Sequence, residues 1–235
     1  MTTPKTEGAG LKLFTSNSTR VVLAELLPEF ERSSGTHVTV SHDPVLVMLK
    51  RISDGETADL AILGQAAIDT LAAKGKIAPD SRRTLARCGV GIGVRAGTPK
   101  PDISSVEALK RALIAAKSIC HTTHGASGIH FSRVIEQLGI ADEVKAKAVT
   151  NEGGLIGELV VSGDAELAVQ QIPELMAVPG IDLVGPLPQE LQSISVVTAG
   201  IFAGSKQAAA ARALLEFLAT PASARVFRAK GLEPA

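Results

Sequence analysis

Short apolar runs alternate with amphipathic helical stretches along nearly the whole chain. That alternation limits the fold to helices packed on both faces of mostly parallel sheets. The first run, Leu11-Lys-Leu-Phe14, opens through Thr15-Ser-Asn-Ser18 onto a helix in which Val22, Leu26 and Phe30 recur at four-residue spacing, with Leu23 and Leu27 beside them. A second unit of the same design follows much later. Ser118-Ile-Cys-His121 leads through Thr122-Thr-His-Gly-Ala-Ser-Gly128 into a helix carrying Phe131, Val134, Ile135 and Leu138 and stopping at Gly139. Ser16, Asn17, Ser18, Gly125, Ser127 and Gly128 therefore stand at helix N-termini, where unpaired N–H groups and the dipole favour an anion. Simple capping by Asn17 or Ser18 accounts for the first loop alone. Two such units suggest two lobes facing one ligand.

Between and beyond these units the alternation continues. Strand-like residues 37–41 and 58–63 precede helical patterns at 46–52 and 66–73. The run 88–95 alternates glycine with valine and isoleucine, a thin strand that reads as a crossover into the second lobe. It is not a dinucleotide fingerprint, because no helix opens after Gly91-Ile-Gly93. Val149-Thr-Asn-Glu-Gly-Gly154 is expected to open a helix bearing Leu155, Ile156, Leu159 and Val160. Residues 165–171 form a strand ending in the amides Gln170 and Gln171, and 194–202 is the return strand. The last helices, 208–218 and 221–230, pack back on the first lobe. This reading assigns 1–90 and 195–235 to lobe one and 91–194 to lobe two, with two crossover strands as a hinge.

Composition removes several function classes. Lysine plus arginine and aspartate plus glutamate balance at 24 each, so no global field draws the chain to nucleic acid or an anionic membrane. Tryptophan and tyrosine are absent, which argues against stacking on bases or sugars. Histidines and cysteines show no cluster with ligand spacing, so no cofactor is expected, and Cys88 and Cys120 read as buried small hydrophobes in preference to a disulfide or metal site. No apolar run is long enough to insert into a membrane. Residues 1–10 lack the apolar core of a signal peptide. The location is then cytoplasmic, or periplasmic if an export signal has been removed.

Five segments carry a resemblance to a known family: Phe14-Thr-Ser-Asn-Ser18, Ile52-Ser-Asp-Gly-Glu-Thr-Ala-Asp-Leu60, Ala126-Ser-Gly-Ile-His-Phe131, Glu136-Gln-Leu-Gly-Ile140 and Phe217-Leu-Ala-Thr-Pro-Ala222. In their order and spacing the chain resembles type II periplasmic binding proteins of the molybdate-binding class. The resemblance implies a two-lobed α/β fold, a small anionic ligand in the cleft, a monomer, and an ABC-transporter permease as the partner of a receptor. It matches the family's first oxyanion serine to Ser18, its backbone contacts to Ser127 and Gly153, and its tyrosine to Gln171, or to Gln170 if the register slips. The family's second serine falls at Pro44 or Val45, where no hydroxyl stands. These departures argue against molybdate and tungstate. They favour carboxylate, carbonyl or hydroxyl groups, which Arg20 could clamp unless it salt-bridges locally.

Two functions follow. The first is a solute-binding protein of the ABC-transporter receptor type, taking a small oxyanion or organic carboxylate. The second is an isomerase on the same scaffold, since aconitate isomerase resembles the same family. It would act on a small unsaturated polycarboxylate, with His42 or His124 in the ligand loops moving the proton. His37, His121 and His130 read as structural or surface residues.

Overall fold

The computed structural model describes residues 10–235. Residues 1–9, most of the stretch without a signal-peptide core, lie outside the described residues. Two sheets form the frame. The first contains β1 (Leu11–Thr15), β2 (Val38–His42), β3 (Leu60–Gly64), β4 (Arg83–Cys88), β10 (Ser195–Ile201) and β11 (Glu233–Pro234), in the order β11-β4-β10-β3-β1-β2. The second contains β5 (Val90–Arg95), β6 (Ile119–Thr122), β7 (Ala148–Asn151), β8 (Leu167–Gln171) and β9 (Ile181–Pro186), in the order β7-β6-β8-β5-β9. The expected parallel pairings are present at β1 with β2 and β3, and at β6 with β7 and β8. The crossover strands β5 and β10 pair antiparallel with their neighbours and make both sheets mixed.

Helices cover both faces of each sheet. Leu11 and Leu13 turn to one face of β1, against Val22, Leu26 and Phe30 of α1 (Arg20–Ser34) and Leu214 and Leu218 of α9 (Ala208–Leu218). Phe14 turns to the other, against Met48 and Ile52 of α2 (Val45–Ser53) and Ile68 of α3 (Gln65–Ala73). In the second sheet Val90, Ile92 and Val94 of β5 pack with Leu109 and Leu113 of α4 (Val106–Ala115) and Phe131 and Val134 of α5 (Ala126–Gln137). On the reverse face Cys120 and Ala168 meet Val160 of α7 (Glu158–Ser162) and Leu175 of α8 (Ile172–Met176). The short α6 (Ala141–Lys145) and α10 (Pro221–Ala229) complete the helical set. Burial of a side chain of this size is worth about 1.5–3 kcal/mol, so each lobe holds its own core.

Three expectations are corrected. Residues 88–95 are not one strand: β4 ends at Cys88 and β5 starts at Val90, so the chain changes sheets at Gly89. Residues 149–151 form β7 instead of opening a helix, because they pair in register with β6, and α7 begins only at Glu158. Residues 181–186 form β9, an edge strand that was not expected. The two crossings are tied together by Gln192. Its Oε1 accepts the Val90 N–H at 2.8 Å and the Ser193 N–H at 2.9 Å, while its Nε2 donates to the Val90 carbonyl at 2.9 Å.

Candidate functional site

The strands β1, β3, β6 and β8 end at the junction of the lobes, and a cavity of about 80 Å³ lies there. Lobe one contributes Ser16, Asn17 and Ser18 after β1, Pro44 and Val45 at the start of α2, Gly64 at the end of β3, and Ser195 and Val197 of β10. No side chain caps the 3₁₀ turn Asn17–Thr19 or α1 behind it, so its leading N–H groups have no side-chain partner. Ser16 and Ser18 hydroxyls lie 3.0 Å apart. The second loop is braced from behind. Arg51 of α2 pairs with Asp43 and with Glu56 and lies 5.0 Å over the Phe14 ring. Arg51 and then Lys12 hold the half-buried Glu56 carboxyl down at about 2.

Lobe two contributes Thr122 of β6, Gly125 and Ala126 at the start of α5, Gly153 and Gly154, the two glutamines that end β8, and Glu174 of α8. Gly128 lets α5 press onto the end of β6, since a Cβ there would overlap the Thr122 carbonyl oxygen. No side chain caps α5 either. The Thr122 hydroxyl is buried with no hydrogen-bond partner, a cost of about 1–3 kcal/mol that a ligand acceptor would relieve. Gln170 shapes the glycine loop, accepting the Ile156 N–H at 3.0 Å and donating to the Gly154 carbonyl at 2.8 Å.

The lobes are closed over this space. Gln171 Nε2 donates to Ser195 Oγ at 2.8 Å across the junction. Pro44 sits where a side chain at Gly153 would be, and α8 packs on the 3₁₀ turn Asn17–Thr19.

Of the residues read from the sequence, Ser16, Asn17, Ser18, Pro44, Val45, Gly125, Gly153, Gln170 and Gln171 line the cavity, whereas Arg20, His42, His124, Ser127 and Gly128 do not. Ser127 is buried, and Gly128 sits in the contact of α5 with the end of β6. Arg20 is exposed and donates to Asn17 Oδ1 at 3.3 Å. His42 is half-buried, and burial followed by Arg20 lowers its pKa, so it is neutral at pH 7. The Nδ1 atoms of His42 and His124 are buried without partners. The remaining histidines are engaged elsewhere: His37 with Glu31, His121 edge-on to Phe131, and His130 with the Leu191 carbonyl at 2.8 Å.

Glu174 was missed. It is buried, and burial pushes its carboxyl up to about 8 even though the Gln171 N–H, the Gln170 side chain and Arg20 all favour its charged form. In sequence it is an acid in the first turn of a proline-led helix, which reads as an ordinary helix start. Thr122, Gly64, Ser195 and Val197 were also missed. The one signal for Thr122 was its place at the head of the loop 122–128.

A solute-binding family model described as bacterial extracellular solute-binding protein matches residues 11–233. The chain belongs to that family. It is 33% identical over 232 residues to an aconitate isomerase from Pseudomonas sp, with 95% of this chain and 87% of the relative aligned. The periplasmic molybdate-binding protein of Azotobacter vinelandii shares the fold with a TM-score of 0.79 at 19% identity, covering 94% of this chain and 98% of its own. The sulfate-binding protein SubI of Mycobacterium tuberculosis superposes with a TM-score of 0.78 at 17% identity, covering 97% and 88%. The two-lobed type II binding-protein fold follows from these likenesses.

Proposed function

We propose that the chain binds a small organic carboxylate in the closed cleft between its lobes. The observation that carries this reading is the cavity wall. Uncapped helix starts and an unpartnered buried hydroxyl meet there from both lobes, with no lysine, arginine or histidine among its described residues. Such a wall holds anionic oxygens by neutral donors. Pro44 and Gln171, matched to a serine and a tyrosine of the molybdate-binding class, remove two hydroxyl donors that an inorganic oxyanion would use there. In a receptor role the closed form would present itself to an ABC-transporter permease.

Melting followed by circular dichroism tests the ligand class. Citrate or trans-aconitate at a hundred times its Kd should add about 2.7 kcal/mol, a rise of about 5–10 °C, while molybdate adds less. A strong response to molybdate with none to carboxylates refutes the reading.

A second reading, isomerisation of an unsaturated polycarboxylate, is favoured by Glu174 in the wall together with the 33% identical aconitate isomerase. Proton transfer needs an acid or base beside the substrate. Glu174 lines the cavity and the two loop histidines do not, so the carboxyl takes that role. With its own proton passed to a ligand carboxylate oxygen, Glu174 takes a proton from the carbon beside that carboxyl, the C–H electron pair moves into the allylic unit, and Glu174 returns a proton at the far carbon. NMR in deuterated water would record deuterium entering aconitate together with exchange of its isomers. Bound aconitate that takes up no deuterium refutes this second reading and leaves the first intact.

A further inference from the structure

Among the described residues that line the cavity, Glu174 is the sole titratable one. Its position is set by the fold. Ile172 starts α8 directly after β8, with Pro173 in its first turn, and α8 packs onto β5, β8, β9 and the 3₁₀ turn Asn17–Thr19 of the opposite lobe. The carboxyl therefore stands in the wall at the seam, buried between the lobes. An anionic ligand in this closed space would meet it with no lysine, arginine or histidine in the wall to separate the two. Like charges in so small and dry a volume repel strongly. A carboxyl that keeps its proton removes the repulsion and adds an O–H donor aimed at an anionic oxygen.

We propose that Glu174 makes ligand binding proton-coupled: the cleft takes up its carboxylate together with one proton, shared between the Glu174 carboxyl and a ligand oxygen, and refuses the anion once Glu174 is ionised. The inference rests on the carboxylate-binding reading above and adds to it a selecting group. The other groups around α8 do not substitute for it. Arg20 is the nearby cation from lobe one, exposed and bonded to Asn17. The Cys88 thiol at the end of β4 is pushed up to about 12 and stays neutral. Arg95 of β5 reaches the Val161 carbonyl, and Asp182 of β9 accepts the Gly97 N–H. On the C-terminal segment, where Gly231 touches Met176, Lys230 pairs with Glu25 and Glu233 with Arg228. Burial holds the Glu174 carboxyl at about 8, so at neutral pH the proton is already in place.

Isothermal titration of the whole chain with trans-aconitate, a ligand fully ionised across the range, tests the coupling between about pH 6.5 and about pH 9.5. A cleft competent only when Glu174 is protonated should bind about 30-fold more weakly at the upper pH. Near the upper pH, titrations in buffers of different ionisation enthalpy should also count close to one proton taken up per ligand. Glu174→Gln should bring the ratio of Kd values between the two pH extremes to within about twofold. Glu174→Asp, which keeps a titrating group, should retain a slope. A flat wild-type profile, or an unchanged slope in Glu174→Gln with its fold intact by circular dichroism, overturns the proposal and leaves carboxylate binding standing. Failure of the wild type to bind trans-aconitate at any pH removes the carboxylate reading, and the proposal with it.

Discussion

Gln192 is the side chain whose removal tests how the two lobes are joined. Its amide serves both backbone groups of Val90, which is almost fully buried, and the N–H of Ser193 on the return crossing. The Val90 carbonyl also accepts the Leu187 N–H at 3.0 Å, so Gln192→Ala orphans chiefly the Val90 N–H. A buried donor left without a partner costs about 1–3 kcal/mol, and the other lost bonds add about 1. The sum, about 2–4 kcal/mol, lowers the melting midpoint by about 4–16 °C for a chain of this length. Gly89 supplies the control. A Cβ at that position would lie 3.0 Å from both Cδ and Nε2 of Gln192, and the amide is too well anchored to swing away freely. Gly89→Ala alone should therefore cost about 1–2 kcal/mol through the displaced amide. In the Gln192→Ala background the obstruction is gone. Alanine should there be neutral, or stabilising by up to about 1 kcal/mol through the unfolded chain. Urea and thermal unfolding of the four proteins of this double-mutant cycle should show a coupling of about 1–3 kcal/mol. Additivity within about 0.5 kcal/mol would refute the claim that Gln192 and Gly89 form one joint.

Two further outcomes follow from the site. The folded-state pKa of Glu174 is raised from 4.5 to about 8, so folding is proton-favoured at this group and its cost grows as pH rises between those values. That cost is about 1 kcal/mol at pH 5, about 3 at pH 7 and about 5 at pH 9. Without ligand, Glu174→Gln should accordingly gain melting temperature over the wild type progressively from pH 5 to 9, and parallel curves would contradict the assignment. Gly128→Ala should destabilise by about 2 kcal/mol or more and abolish ligand-induced stabilisation, because its Cβ must push α5 off the Thr122 carbonyl. Full retention of ligand response in that variant would show that the end of β6 does not set the cavity wall.

The elements that carry both ligand loops were legible because each is a local pattern. Leu11, Leu13 and Phe14 give a strand, Val22, Leu26 and Phe30 a helical face, and Gly139 a stop. Gly89 was harder to read. A run of alternating glycine and valine looks continuous, and the break between β4 and β5 depends on Gln192, a hundred residues away in the chain but adjacent in space. Residues 149–151 failed for a related reason: too short to show a period of their own, they become a strand through pairing with β6. In the wall, Ser16 to Ser18 and Gly125 announced themselves as polar residues at helix starts. Glu174, Ser195 and Gly64 carried no such mark, since burial of an acid depends on what the opposite lobe brings against it. His42 and His124 lie in the expected loops but are not among the residues that line the cavity, since spacing does not encode side-chain direction.

The two cysteines give this chain a pair of internal clocks. Cys88 lies in the core of lobe one and Cys120 in that of lobe two, both buried and both with thiols pushed up to about 12. A folded lobe thus shields its thiol twice, by excluding the reagent and by withholding the thiolate. Modification can proceed only when the lobe that holds the cysteine opens, and its rate then reads the opening free energy of that lobe alone. With neither tryptophan nor tyrosine in the sequence, the near-ultraviolet background is unusually dark, and the release of a coloured leaving group at each sulfur can be followed directly. Each half of the molecule can therefore be timed as it breathes, with one native atom as its reporter.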